Sequence, residues 1–271
     1  MVLPINILSK SYRKLFRPNG IVLGDAREYI PGDDAKFINW NITAKTGTAF
    51  VDSIQLDSSN DIIFALDISE SMKFGTRTQT KLTLASNIIH GISHLAEIHC
   101  DQVGLALFSS GLEKFLSPRR NTKIFKYAIE NATSTGEKLQ TNLDILKTLH
   151  KIIKKKSTII IICDTFCLSK NRKATLAQMH KLATKHDIIL LLVVDDGEMP
   201  HPCAGKIRLE DMETGETIEI NTNDTVLMSK IRTKYDAYQS LILREINSLG
   251  IKVLMANTST PSEEFLFTFL A

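Results

Sequence analysis

From residue 61 onward, unbroken apolar runs alternate with stretches whose apolar positions recur every three or four residues. The runs at 62–66, 103–108, 158–163, 188–194 and 251–256 are mostly continuous rather than alternating, the pattern of strands covered on both faces by helices. Between them, residues 81–98 place Leu84, Ala85, Ile88, Ile89, Ile92, Leu95 and Ala96 on one stripe, with Asn87, His90, His94 and Glu97 opposite. Residues 143–153, 174–184 and 226–249 read as helices in the same way, and Gly250 suits the position after the last of them. Lys151, Lys154, Lys155 and Lys156 gather at the end of the 143–153 helix, where cations complement the negative pole of the helix. The alternation predicts an α/β fold, a doubly wound and mostly parallel sheet flanked by helices. Residues 206–220 alternate around Thr214-Gly215 and predict a β-hairpin inserted beside that sheet.

Residues 1–57 do not follow this rhythm. Pro31-Gly32 suits the central positions of a type II turn, with Asp33 and Asp34 following as turn or capping residues. Lys45-Thr46-Gly47 marks a second turn before an extended stretch at 49–54. The expected organisation is a small strand-rich segment over 1–57 and an α/β domain over 58–271, with the 206–220 hairpin as an insertion. Trp40, the single tryptophan, is expected to be packed inside the first of these.

Composition narrows the function. Among 271 residues, 33 basic and 30 acidic side chains leave a net charge of +3, too balanced for nucleic acid or an anionic membrane as the main partner. Thirteen Gly and seven Pro are too few for a linker-dominated chain. No run approaches the roughly 18 apolar residues of a membrane span, and residues 1–10 lack the pattern of a secretory leader. Cys100, Cys163, Cys167 and Cys203 are irregularly spaced, without a Cys-x-x-Cys pair, and read as reduced thiols. A cytoplasmic location is the resulting expectation.

The candidate chemistry sits at strand ends. The first core strand runs into Asp67-Ile68-Ser69-Glu70-Ser71, an Asp-x-Ser-x-Ser motif at the edge where open α/β sheets bind ligands. A loop can turn residues i, i+2 and i+4 toward one point, and a carboxylate with two hydroxyls suits a hard cation such as Mg²⁺ or Mn²⁺. Such residues also serve as caps and turns. Thr141 opens a later helix, where a cap is its alternative role, and Asp164 ends another continuous strand. If the two strands are neighbours, Asp67 and Asp164 face one crevice. Two carboxylates against one divalent ion leave the site near neutral.

The set of Asp67, Ser69, Ser71, Thr141 and Asp164 resembles the metal-ion-dependent adhesion site (MIDAS) of von Willebrand factor type A domains. The resemblance implies that the hydroxyls bind the metal, that the two Asp bind directly or through water, and that one coordination position is left for a partner's carboxylate. In better-known members of that fold the last helix shifts on binding; here it would be 261–270.

A narrower resemblance follows from Arg27-Glu28-Tyr29-Ile30-Pro31-Gly32-Asp33-Asp34, continuing through Trp40 to Thr43-Ala44-Lys45, together with Asp67 to Gly75 and the stretches at 194–200 and 210–216. These are similar to the signature of the DUF58 family, with Lys36 and Lys45 where Arg is usual. This implies a non-catalytic protein-interaction partner of a MoxR-type AAA+ ATPase. The pair would act in chaperone-like maturation of client proteins, which would be engaged through an acidic side chain.

His90 and His94 share a helix face that is otherwise polar. Asp195, Asp196 and Glu198 read as an acidic loop past a strand end rather than a second cation site. Lys10, Arg13, Lys14 and Arg17 make the amino terminus basic. The enzymatic alternative is a Mg²⁺-dependent phosphohydrolase. Its Asp-x-Asp motif is not met, because Ser69 stands where the general acid would be. Phosphate-binding, dinucleotide and nucleophile-elbow motifs are absent from the sequence.

Overall fold

The chain divides into two units, Met1–Asn60 and Asp61–Ala271. The computed structural model describes residues 8, 11–12, 15–16, 23–33, 38–54, 60–76, 79–133, 143–168, 172–199, 204–211 and 215–270. In the first unit, β1 (Leu23–Glu28) pairs antiparallel with β2 (Phe50–Ile54). Pro31 and Gly32 form the predicted turn: Asp33 N–H donates to the Ile30 carbonyl at 3.0 Å, and Gly32 has a φ of 112°. The Asp33 carboxylate then accepts from Arg27 at 2.6 Å and from the Ile30 amide at 2.9 Å, which fixes the turn to β1. Residues Trp40–Thr46 form a short helix, α1, started by the Asn39 side chain accepting from the Ile42 amide and stopped at Gly47. Lys45 and Thr46 therefore close a helix rather than forming a turn. The expected burial of Trp40 is not found: it is 69% exposed, because it begins a helix that has no buried residue.

The second unit follows the apolar runs. Its elements are β3 (Asp61–Asp67), α2 (Lys81–Ile98), β4 (Gln102–Phe108), β5 (Leu112–Arg119), α3 (Ile124–Thr133), α4 (Ile145–Ile152) and β6 (Thr158–Asp164), then α5 (Arg172–Ala183), β7 (Asp187–Val194), β8 (Lys206–Glu210), β9 (Thr217–Asn221), α6 (Thr225–Ser248), β10 (Lys252–Asn257) and α7 (Ser262–Leu270). The main sheet has the order β10-β7-β6-β3-β4-β5. All neighbours are parallel except β5, which runs antiparallel to β4. Strands β8 and β9 form the predicted hairpin, Lys206 opposite Asn221 and Glu210 opposite Thr217.

Among the described elements of this second unit, β5 and α3 lay outside the sequence expectations. Strand β5 carries Pro118 and charged side chains and is half-buried at best, as an edge strand can be.

Every residue of β3 and β6 is buried, as their continuous apolar runs require. Successive side chains point to opposite faces. Ile63 and Ala65 join one core with Leu146 and Leu149 of α4, Met179 and Leu182 of α5, and Ile242 and Ile246 of α6. The alternate residues Ile62, Phe64 and Leu66 are equally buried. The apolar stripe of α2, from Leu84 to Ile92, is buried too, and α2 packs on α7. Each such Ile or Leu contributes about 1.5–3 kcal/mol by leaving water. The two helices cross closely at Gly91, where an added Cβ would stand 2.4 Å from Leu266 Cδ1.

Candidate metal centre

Counted along the chain, the six strands of the sheet lie in the order 3-2-1-4-5-6, so the order reverses between β3 and β6. Chains leaving adjacent strands at such a reversal diverge to opposite faces and open a crevice at the carboxyl edge. Asp67 ends β3 and Asp164 ends β6, and the two strands are paired in register with Leu66 opposite Ile162. The conditional neighbourhood of these strands is therefore met, and both carboxylates stand at the same edge.

Beyond Asp67 the chain continues briefly along β4, with the Ile68 amide donating to the Phe108 carbonyl at 2.9 Å, and then tightens into a 3₁₀ turn over Glu70–Lys73. Asp67 Oδ1 accepts from the Ser69 amide at 2.9 Å, which bends the loop back over the strand end. Met72 is fully buried and holds the turn down. Glu70 is half-buried and accepts from Lys73 at 2.6 Å. The Ser69 and Ser71 hydroxyl oxygens lie 3.0 Å apart. Two ligands at right angles on an octahedral Mg²⁺, each about 2.1 Å from the ion, stand about 3.0 Å apart.

Asp164 divides its labour. Oδ1 accepts from the Cys167 amide at 2.8 Å and so caps the turn that follows β6. Oδ2 is buried and has no hydrogen-bond partner. The nearest cation is Lys81 Nζ, 3.6 Å away, and the same ammonium forms a close ion pair with Glu198. Asp67, Ser69 and Asp164 are almost wholly buried. Thr141 lies outside the described residues. No group of three or more His, Cys, Asp or Glu placed to hold a metal occurs among the described residues, so a cation here would depend on hydroxyl oxygens as well as carboxylates. Thiolate ligation is not offered. The Cys163 and Cys167 sulfurs are 2.8 Å apart in the core; burial pushes the Cys167 thiol well up. At Cys163 the hydrogen bond from Cys167 lowers the pKa, but burial and the Asp67 and Asp164 carboxylates raise it further, leaving it above its ordinary value.

Lys81 was missed in the sequence, and Asp195 and Glu198 were read there only as part of an acidic loop past a strand end. Lys81 falls on the apolar stripe of α2 (81, 85, 88, 92), and a charge on a buried face was the available signal. Glu198 does not sit in a solvated acidic loop: its side chain is 6% exposed and held by Lys81. Burial pushes the Glu198 carboxyl above its usual range although Lys81 pulls the other way. Asp195, just past β7, accepts from the Thr76 amide at 3.1 Å, the Thr76 hydroxyl at 2.5 Å, the Gly197 amide at 2.7 Å and the Thr258 hydroxyl. Burial raises its pKa, but those bonds outweigh it and hold the carboxyl below its ordinary value. The clamp joins the loop after Ser71 to the ends of β7 and β10. Both acidic residues lie on the strand-end edge that the sheet order singles out.

A six-stranded sheet of this order with one antiparallel edge strand, flanked by helices and carrying Asp-x-Ser-x-Ser at its reversal point, defines an α/β protein of the von Willebrand A-like kind. The chain belongs to the family described as "Protein of unknown function DUF58", which matches residues 25–240. It is 24% identical over 240 residues to an uncharacterized protein of Mycobacterium tuberculosis, covering 87% of this chain and 74% of that one. Two solved structures share the fold at 18% identity, each covering 78% of this chain and 98% of the other. One is the conserved hypothetical protein BatB of Bacteroides thetaiotaomicron, with a TM-score of 0.50, and the other is an aerotolerance-related membrane protein of Bacteroides fragilis, with a TM-score of 0.51.

The second of these corrects the expected cytoplasmic location. A protein named as a membrane protein shares this fold, so the lack of an apolar run in the sequence does not fix a compartment. Among the described residues, no helix is long and apolar enough to cross a membrane.

Proposed function

We propose that this protein is a metal-dependent protein-interaction module rather than an enzyme. Mg²⁺, or Mn²⁺ in its place, is bound by Asp67, Ser69, Ser71 and Asp164, with Thr141 as the fifth residue of the set. One position of the octahedron is left for an acidic side chain of the partner. The observation that carries this reading is the 3.0 Å spacing of the Ser69 and Ser71 hydroxyls beside two strand-end carboxylates at the reversal of the sheet. The bound ion would supply a positive centre for a carboxylate. The chain's own part is to orient the hydroxyls and to hold Asp67 and Asp164 at one edge of the sheet, shielded from water. The partner in this proposal is a MoxR-type AAA+ ATPase, with the pair acting in chaperone-like maturation of client proteins, as the resemblance of the 27–45 motif implies.

The test is thermal unfolding with and without Mg²⁺. Metal at tenfold over its dissociation constant adds about 1.4 kcal/mol, which raises Tm by about 3–6 °C for a domain of this size. Asp67→Ala removes the gain, and it also removes metal-dependent capture of the ATPase. An equal shift in Asp67→Ala would sink the assignment of the site. Turnover of a simple phosphate ester, lost in the same variant, would replace it with the phosphohydrolase alternative. Ser69 in the place of a general acid argues against that outcome.

A further inference from the structure

We infer that Lys81 is a tethered counter-cation that competes electrostatically with the metal ion and sets how tightly the centre binds it. The inference rests on the metal-centre reading and concerns the regulation of that same site.

Lys81 is held where neither helix nor core favours it. It is the first residue of α2, at the pole of the helix dipole that repels a cation. Its side chain is 2% exposed, and Lys is almost never buried to this degree unless paired. The pairing is with Glu198 and, at 3.6 Å, with Asp164 Oδ2, the oxygen that has no hydrogen bond. The Lys81 amide donates to the Phe74 carbonyl at 2.9 Å, and the ammonium stands 5.9 Å from the centre of the Phe74 ring. The lysine is thereby fastened to the loop that carries Ser69 and Ser71. A divalent ion drawing on Asp164 meets this ammonium at the same carboxylate.

The charge count gives the signs. Asp67, Asp164 and Glu198 against Lys81 leave two negative charges, which one divalent ion neutralises. Lys81→Met leaves three negative charges for the ion, and Glu198→Gln leaves one. Lys81→Met/Glu198→Gln restores two. Affinity should therefore follow the order Lys81→Met, then wild type and the double variant together, then Glu198→Gln.

The experiment is a Mn²⁺ titration of the full chain, with free Mn²⁺ read by electron paramagnetic resonance and folding checked by far-UV circular dichroism. Lys81→Met is expected to bind at least about tenfold tighter and Glu198→Gln at least about tenfold weaker, with the double variant within about threefold of wild type. If wild type binds no Mn²⁺ but Lys81→Met does, the competition is shown outright. Weaker binding by Lys81→Met overturns the inference while leaving the metal centre standing, since the lysine would then be positioning Asp164 for the ion. Absence of Mn²⁺ binding in wild type and in Lys81→Met alike overturns the metal centre itself. Should Lys81→Met fail to fold, Glu198→Gln decides: unchanged or tighter binding refutes the competition.

Discussion

Replacing Asp195 by Ala offers the most direct measure of what holds the candidate centre in shape. The carboxylate is buried and accepts four hydrogen bonds, two from amides (Thr76, Gly197) and two from hydroxyls (Thr76, Thr258). The hydroxyls can rotate to other acceptors, whereas the amides are fixed by the backbone. A hydrogen bond to a charged group is worth about 1.5–3 kcal/mol, so losing the two amide bonds alone predicts a loss of about 3–6 kcal/mol. With a urea m-value of about 2–3 kcal/mol/M, the midpoint should fall by about 1–3 M with m unchanged. The transition is best followed by far-UV circular dichroism, because the sole tryptophan, Trp40, lies in the other unit. The acid limb gives an internal check. Asp195 has a folded pKa below its unfolded value of about 3.9, so its stabilisation is complete above that value and is lost as pH falls through the folded one. Asp195→Ala should therefore show a shallower loss of stability on acidification than wild type. A midpoint shift under about 0.3 M at neutral pH, equivalent to less than about 1 kcal/mol, would refute the claim that this carboxylate clamps the loop.

Gly197→Ala places a Cβ 2.0 Å from Thr76 Cγ2, so it should cost about 1–3 kcal/mol in the same urea assay; adding Thr76→Ser, which deletes that methyl, should restore part of the loss, since Asp195 Oδ1 and the residue-76 hydroxyl oxygen remain 2.9 Å from the new Cβ. His186 has both ring nitrogens buried without a hydrogen-bond partner, and burial, aided by Lys185 and His150, pushes its pKa down to about 4. It folds neutral, so stability is full above the unfolded value of about 6.5 and declines as pH falls from there toward the folded value. Tm measured at pH 7 and pH 5 should differ by more in wild type than in His186→Gln, and an equal difference would contradict this account.

The sheet was legible because its strands are buried on both faces. Runs such as 159–163 and 188–194 leave no room for a charged residue, and the strand-end Asp67 and Asp164 are then conspicuous. Strand β5 was not legible, since an edge strand needs only one covered side and tolerates Glu113, Lys114 and Pro118. Helix α3 carries a readable stripe of Phe125, Ala128 and Ile129, but it is too short to stand out. Lys81 and Glu198 were not legible as a pair because a buried ion pair is made between distant segments: the place of Lys81 on an apolar stripe marks it as unusual but names no partner. Trp40 misled for the opposite reason: a large aromatic side chain is usually covered, and this one is not.

The crossing of α2 over α7 at Gly91 has a mechanical consequence. Leu266 sits in a notch that exists only because one residue of α2 lacks a side chain. Sliding α7 by a single residue, about 1.5 Å along its axis, would drive that leucine against the flanking side chains instead of along a smooth groove. The carboxy-terminal helix is thus indexed like a detent. Any displacement transmitted to it has to lift it clear of its seat or carry it to another, and intermediate positions are not available.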